Sequence, residues 1–421
     1  MATENPRVWF KSISLENVRS FGTKQTIKFT DKDGNAARWN VILGDNGTGK
    51  TTVLRSLCLG TGLYWNDSDA ISLQRSQNSI LLICTIDKNG EEVKLPPFRV
   101  EFEVRRIGVQ VRKVPQIREL DIEDNVSLAA YGAARSSSAL SPSLAQQQNN
   151  VQNLFTDGTP LLNPEQWLIE AELAYRKDSG QKNYYELIIS ILKRLFRDEV
   201  EDIQSRRYLY STFVYFKTRY GDVRLHELSL GYKTLIAWMV DFAKGLLDRY
   251  PDSPDPLAEP AVCLVDEIDL HLHPKFQRTI IKFLTETFPN TQFIVTAHSP
   301  LIVIAAEERP LDANIILLKR EGDQTVVVND PMDVTNWSVD QVLNSDLFGH
   351  VPSRSEPLTE LRTERDTLLA KSKLTKKDSV RLAELDEEIG FIPFGQDQAE
   401  IKAETIIQQL ADVLRKQKQA Q

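Results

Sequence analysis

Short, nearly continuous apolar runs stand at Val41-Ile42-Leu43, at 261–265 and at 293–297. Runs of this length predict strands buried on both faces. The stretch at 274–287 has helical periodicity and bridges the last two runs. Helical spacing returns at Leu235–Leu247 and at Tyr184–Leu195. Another helix is predicted after Asn163, with Pro164 at its first position and Trp167, Ile169 and Leu173 on its apolar face. Alternating patterns predict strands at 8–15, 25–30, 79–86 and 98–111, with a turn at Pro96-Pro97, and a short strand at 126–131. Residues 208–218 and 223–225 read as a hairpin turning at Gly221-Asp222. Strands that alternate with helices in this way predict an α/β fold with a mainly parallel sheet covered on both faces.

Two stretches fall outside this pattern. Ser136–Asn150 is Ser/Gln-rich and aperiodic, and reads as a mobile loop. From Arg354 the chain is charged and helical. There Thr375 and Asp378 form a capping box ahead of a Val380, Leu382, Leu385, Ile389 stripe, and a last helix is expected near 398–416. This tail reads as a packing appendage or as a partner-docking element.

Composition narrows the class. The 421 residues are 41% hydrophobic and 26% charged, as in an ordinary globular protein. No apolar run approaches a membrane span, and the first residues lack the apolar core of a secretory signal. Cys58, Cys84 and Cys263 sit in apolar stretches and read as buried thiols in a reducing, cytoplasmic setting. The net charge of −8 gives no global case for nucleic-acid binding. Two local basic groups could contact DNA phosphates. They are Arg105, Arg106, Arg112, Lys113, Arg118 and Arg206, Arg207, Lys217, Arg219, Arg224.

The candidate chemistry begins at Gly44-Asp45-Asn46-Gly47-Thr48-Gly49-Lys50-Thr51. The stretch fits the phosphate-cradling pattern G-x-x-x-x-G-K-[ST], between a predicted strand and a helix starting at Thr52-Val53-Leu54. Its three glycines let the backbone curl so that N–H groups approach phosphate oxygens. The helix start turns its positive end toward them. Lys50 would meet the β- and γ-phosphates, and the Thr51 hydroxyl would ligate Mg²⁺.

Three further motifs follow in order. Val262-Cys263-Leu264-Val265-Asp266-Glu267 is an apolar strand ending in two acids. Asp266 would hold the Mg²⁺ shell and Glu267 would be the general base for the attacking water. Leu228-Ser229-Leu230-Gly231-Tyr232 opens a helix, where the Ser229 hydroxyl and the Gly231 N–H would make an anion site. Thr296-Ala297-His298-Ser299-Pro300 follows a second apolar strand and presents His298.

Together these residues resemble an ABC-type ATPase head of the group that includes SMC proteins, RecF and the overcoming-lysogenization-defect (OLD) ATPases. Leu228–Tyr232 resembles the ABC signature, and Glu267–Pro274 resembles the E-x-x-x-H-L-H-P run of OLD-like ATPases. Asn17-Val18-Arg19-Ser20-Phe21 resembles the N-F-R-S-F opening of RecF and SMC-like heads. Tyr131-Gly132-Ala133-Ala134-Arg135 sits where a Q-loop is expected, without its glutamine. The resemblance implies a head split into 1–131 and 208–345, an inserted, mainly helical lobe at 132–207, and a helical extension at 346–421.

It also implies a mechanism. Each subunit would hold Mg-ATP on its P-loop, and Ser229 and Gly231 of a second subunit would meet the γ-phosphate. The result would be an ATP-bound homodimer or larger even-numbered assembly, with His298 contacting the γ-phosphate and the attacking water. Stand-alone ATPases of this appearance resemble the ATPase subunits of Septu-type and retron-associated anti-phage systems. A separate effector nuclease is therefore the expected partner. A RecF-like repair ATPase acting directly on DNA and a non-turnover ATP-sensing scaffold are the competing expectations. Sustained heptads are absent between Lys50 and Leu228, which argues against a long coiled-coil arm. No convincing acidic cluster follows His298, so no nuclease is expected within the chain.

Overall fold

The computed structural model describes residues 5–61, 79–95, 98–105, 108–113, 127–135, 151–157, 159–177, 184–197, 199–209, 211–308, 313–351, 356–371, 375–389 and a few isolated positions. The expected turn at Pro96-Pro97, the loop at 136–150 and nearly all of the helix at 398–416 lie outside the described residues.

Strands β1 (Val8–Glu16), β2 (Gln25–Lys28) and β3 (Trp39–Gly44) lead into helix α1 (Lys50–Gly60). Then come β4 (Ser79–Lys88), β5 (Glu91–Lys94), β6 (Phe98–Arg105), β7 (Gly108–Lys113) and β8 (Leu128–Tyr131). Helices α2 (Gln152–Phe155), α3 (Pro164–Lys177) and α4 (Tyr184–Leu195) precede β9 (Val200–Tyr208), β10 (Ser211–Thr218) and β11 (Gly221–Arg224). Next are α5 (Leu230–Arg249), β12 (Ala261–Val265), α6 (Pro274–Thr287), β13 (Thr291–Thr296), α7 (Pro300–Ala306), β14 (Ala313–Glu321) and β15 (Gln324–Asn329). Last are α8 (Val339–Leu343), α9 (Glu356–Leu369) and α10 (Lys376–Ile389).

The central sheet has the order β15-β14-β3-β13-β12-β8. Every pairing in it is parallel except the β14–β15 hairpin. All residues of β12 and β13 are buried, which is why their sequences are continuously apolar rather than alternating. Their alternation instead sorts residues between two buried faces. One face joins Ile42, Val262, Leu264 and Ile294 to Val53, Leu54 and Leu57 of α1 and to Ile13 and Leu15 of β1. The other stacks Trp39 on Phe293 with ring centroids 4.4 Å apart, with Phe242 of α5 and Phe288 packed around Phe293.

A second, antiparallel sheet, β2-β1-β4-β6-β7 with β5 on β4, packs through β1 onto this core. Gln292 stitches the two sheets together. Its amide accepts from the Phe10 N–H at 2.7 Å and donates to the carbonyls of Phe10 at 2.8 Å and Ala37 at 2.9 Å. A fully buried glutamine is tolerable because its polar atoms are bonded.

Several expectations need correction. The stretch 98–111 is not one strand but the hairpin β6–β7. The stretch 208–218 breaks at Leu209, whose φ of 54° ends β9 and turns the chain into β10. The 132–207 stretch holds α2, α3 and α4 and also most of β9, and 200–224 form a three-stranded sheet, β11-β10-β9. The second turn lies at Arg219-Tyr220, because Gly221, at φ 129°, already pairs with Thr218. On α3, Trp167 and Leu168 are buried but Leu173 is 51% exposed. Five helical positions from Leu168 place it about 140° round the axis.

Residues 1–342 form one compact unit and 343–421 another. In the second, α9 and α10 pair through Arg381 to Glu364, with both carboxylate oxygens at 2.8 Å, and Arg365 to Asp386 at 2.6 Å. The Thr375–Asp378 capping box is present, with the Thr375 N–H on Asp378 at 2.9 Å and the Asp378 N–H on Thr375 Oγ1 at 3.2 Å. Leu385 is buried, whereas Val380, five positions earlier, faces away at 60% exposure.

Phe293→Ala removes the ring that stacks on Trp39 and packs against Phe242 and Phe288. It is expected to lower the stability of the first unit by about 3–5 kcal/mol, read by chemical denaturation followed through tryptophan fluorescence.

Candidate functional site

Parallel pairing puts the carboxyl ends of β3, β12 and β13 along one edge of the sheet, where open α/β sheets bind ligands. The P-loop leaves β3 and wraps the start of α1. Gly44, Gly47 and Gly49 have φ of 146°, 79° and 97°, the left-handed side of backbone space that glycine alone enters cheaply. Space matters as well as conformation. A Cβ on Gly49 would lie 2.5 Å from Ser20 Oγ, and one on Gly44 would lie 2.5 Å from the Leu318 carbonyl. A Cβ on Gly47 would meet nothing within 4 Å. The loop is thus backed by protein at two glycines and open at the third.

Its floor is built from the Asn17–Phe21 turn and the β14–β15 hairpin. Ser20 Oγ and Thr325 Oγ1 both donate to the Thr48 carbonyl, at 3.2 and 2.9 Å. The Thr325 N–H donates to the Ser20 carbonyl at 2.8 Å. Thr48 Oγ1 closes the loop internally on the Asp45 carbonyl at 2.8 Å. Lys50 Nζ lies across the mouth, donating to the carbonyls of Gly44 at 2.7 Å and Asp45 at 3.0 Å. Burial lowers the Lys50 pKa, and attraction from Asp266, Glu267, Asp45 and Asp269 opposes that shift.

The acidic end joins the loop directly. Thr51 Oγ1 donates to Asp266 Oδ2 at 2.7 Å, and Thr296 Oγ1 donates to Asp266 Oδ1 at 2.6 Å. Thr296 Oγ1 in turn accepts the Glu267 N–H at 2.7 Å. Glu267 has φ 49°, a conformation that costs an ordinary side chain about 1–2 kcal/mol. Its carbonyl accepts from Arg135 Nη2 at 2.8 Å, while Arg135 Nη1 donates to the carbonyls of Asp266 at 2.5 Å and Gly132 at 2.9 Å. Arg135 is 2% exposed. Burial lowers its pKa to about 10 against the attraction of Asp266, Glu267 and Asp269. The His298 N–H donates to Asp269 Oδ2 at 3.0 Å, and its ring stands exposed at the end of β13.

One cleft of about 450 Å³ collects Asn46, Gly47, Gly49, Lys50, Thr51, Thr52, Asp266, Glu267 and His298. Gly44, Asp45 and Thr48 do not line it; they shape the loop beneath. Ser229 and Gly231 are also absent from its walls. Ser229 is exposed at the N-cap of α5, its side chain making no capping bond, beside Leu230 at 54% exposure. Gly231 is pressed against the chain after the acidic pair, where a Cβ would lie 2.2 Å from the His271 carbonyl. Tyr232 packs edge-on against Phe196 and Phe276 and donates to Glu199 at 2.5 Å.

The cleft also holds residues that motif reading passed over: Arg19, Ser20, Arg320 and Asp323. Arg19 and Ser20 lie within the Asn17–Phe21 motif, which was a usable signal. Arg320 and Asp323 carry none. They arrive because β14 pairs with β3 as far as Leu318 opposite Gly44.

The residues present fit a nucleoside triphosphate with Mg²⁺. Gly47 leaves open space on the loop, an ammonium group lies at its mouth, and a hydroxyl and a carboxylate stand 2.7 Å apart as hard oxygen ligands. Three of the basic residues considered for DNA are in ion pairs, while Arg207 and Arg219 are exposed. Lys217 pairs with Glu201 at 3.1 Å, Arg224 with Glu165 at 3.7 Å, and Arg206 with Asp222. Arg105, Arg112 and Lys113 lie on β6 and β7 at positions whose side chains are not among those described, and Arg106 and Arg118 lie outside the described residues.

A family model described as "AAA domain" matches residues 12–210, and one described as "AAA domain, putative AbiEii toxin, Type IV TA system" matches residues 117–305. With the P-loop, these matches mark the chain as an ATPase. It is 26% identical over 380 residues to the "Retron Vc95 probable ATPase" of Vibrio cholerae serotype O1 biovar El Tor, a match spanning 71% of this chain and 72% of that protein. It is also 26% identical over 348 residues to the Septu protein PtuA of Bacillus mycoides (strain KBAB4), spanning 81% of this chain and 45% of that one. Among solved structures it aligns with the SMC head domain from Thermotoga maritima at 18% identity and a TM-score of 0.41, over 76% of this chain and 98% of that one. No helix among the described residues is long and apolar enough to cross a membrane.

Lys50→Ala is expected to abolish binding of a fluorescent ATP analogue. Gly49→Ala should do the same although it removes no charge, because its Cβ drives the loop off Ser20 and Phe21. Equilibrium titration of both folded variants checks this.

Proposed function

We propose that this protein is an ATP-driven molecular switch whose two-fold assembly controls a separate effector, a nuclease, in cytoplasmic anti-phage defence. Each subunit holds Mg-ATP in its own cleft. Lys50 and the P-loop N–H groups bind the phosphates, and Thr51 and Asp266 would hold a Mg²⁺ ion, which would offset phosphate charge. Glu267 takes the proton of the attacking water at its carboxylate. His298 contacts the γ-phosphate from the end of β13.

The observation that carries the reading is the position of the signature segment. Ser229 is exposed, uncapped and outside the cleft of its own subunit, at the start of a 20-residue helix. A hydroxyl and free N–H groups at such a helix start suit an anion brought by another molecule. A second copy, contributing its ATP, satisfies both segments at once in an isologous dimer. Likeness to the retron probable ATPase and to the Septu protein PtuA supports the defence role.

The decisive experiment is the solution mass of Glu267→Gln with and without Mg-ATP, alone and co-expressed with the products of neighbouring genes. The expected result is an ATP-dependent dimer or larger even-numbered assembly that carries a second protein. A monomer indifferent to ATP overturns the signature assignment. Gly231→Ala should bind ATP as the parent does yet fail to dimerise, because its Cβ meets the His271 carbonyl and displaces the helix start. Sedimentation velocity in Mg-ATP reads this.

A further inference from the structure

Arg135 has no place in the scheme above, yet its surroundings are built around the acidic pair. Its guanidinium is buried without an ion-pair partner among the described residues. A buried cation that bonds only to carbonyls is costly to keep unless those bonds hold something in place. The carbonyls are those of Gly132, Asp266 and Glu267. The carboxylate of Asp266 is engaged elsewhere, by Thr51 and Thr296. Arg135 therefore grips the backbone of the acidic pair and leaves its chemistry free.

The grip falls where the backbone is strained. Glu267 sits at φ 49°, and both of its peptide groups are clamped, the N–H by Thr296 and the carbonyl by Arg135. A left-handed residue persists only when its neighbours over-determine it. The direction of the Glu267 side chain follows from that backbone. Arg135 is itself anchored. The Gly132 N–H donates to Asn153 Oδ1 at 2.9 Å, and Asn153 Nδ2 donates to the Thr159 carbonyl at 2.8 Å. Helix α2 is in turn held by Arg55 of α1, whose Nε donates to the Leu154 carbonyl at 3.0 Å and whose guanidinium lies over Phe155. A continuous set of contacts thus runs from the helix behind the P-loop, through α2 and the 132–135 loop, to the acidic pair.

We propose that Arg135 is a positioning residue for hydrolysis, aiming Glu267 by holding its carbonyl in the left-handed turn. The proposal rests on the reading of Glu267 as general base. Arg135→Lys keeps the charge but loses the planar fork that spans the two carbonyls. In the full chain it is expected to bind a fluorescent ATP analogue with Mg²⁺ within threefold of the parent, with KM equally unmoved. Its kcat should fall by on the order of a hundredfold. In a Glu267→Gln background the same substitution should cost nothing further, since there is no longer a base to aim.

An unchanged kcat, a loss of affinity that parallels the loss of rate, or additive losses in the double variant overturns the proposal while leaving Glu267 as base. Parent-like hydrolysis by Glu267→Gln alone overturns the base reading, and the proposal falls with it. If Arg135→Lys does not fold, Asn153→Ala provides the test. It frees the 132–135 loop without stranding a charge, and kcat should fall about tenfold at unchanged affinity. An unchanged kcat in that variant overturns the proposal as well.

Discussion

The hydrogen bond from Thr51 to Asp266 joins segments 215 residues apart, and the site depends on the sheet that makes it possible. Parallel pairing of β3, β13 and β12 sends three strand ends in one direction. Each end releases a different chemical segment: the P-loop, the Thr296–Pro300 turn and the acidic pair. Antiparallel pairing of any one would carry its loop to the far edge. The fully buried Trp39, Phe293, Val262 and Leu264 are therefore part of the site's geometry, since they lock the strands that present it.

The cleft is held mostly by hydrogen bonds to backbone. Ser20 and Thr325 share the Thr48 carbonyl, Lys50 folds onto Gly44 and Asp45, and Arg135 spans Asp266 and Glu267. Such bonds fix where the chain goes and leave the carboxylate of Glu267 and the ring of His298 unconsumed at the surface of the cleft. Glu267 carries a left-handed backbone there at φ 49°, while the P-loop's three left-handed positions are glycines, which adopt that conformation cheaply. Rigid support around strained loops is the arrangement expected of a preorganised phosphate site.

Legibility along the chain followed burial. Elements with one dominant pattern were read closely: α4 and α6 begin and end where their periodicity predicts, and β12 coincides with its apolar run. Errors came where two neighbours compete for the same residues. Leu173 and Val380 continue an apolar composition but fall about 140° from the stripes that Leu168 and Leu385 define, so they face outward. Strand β9 lies almost wholly before the expected 208–218 strand, and the turn at Leu209 that joins it to β10 is made by a leucine that gives no turn signal. Glycine at 221 signalled a turn and instead opened a strand.

By itself the sequence determined the nucleotide chemistry and the order of its parts. Glycine, lysine, threonine and acid at set spacings are needed wherever a backbone cradles phosphate, and local spacing alone encodes that need. Only the tertiary structure decided which residues share the cleft. Arg19, Arg320 and Asp323 enter it, Ser229 and Gly231 stand outside it, and Arg135 reaches the acidic pair across 131 positions of chain. Those placements follow from strand order and register, which depend on how distant apolar faces fit together. No short stretch of sequence carries that information.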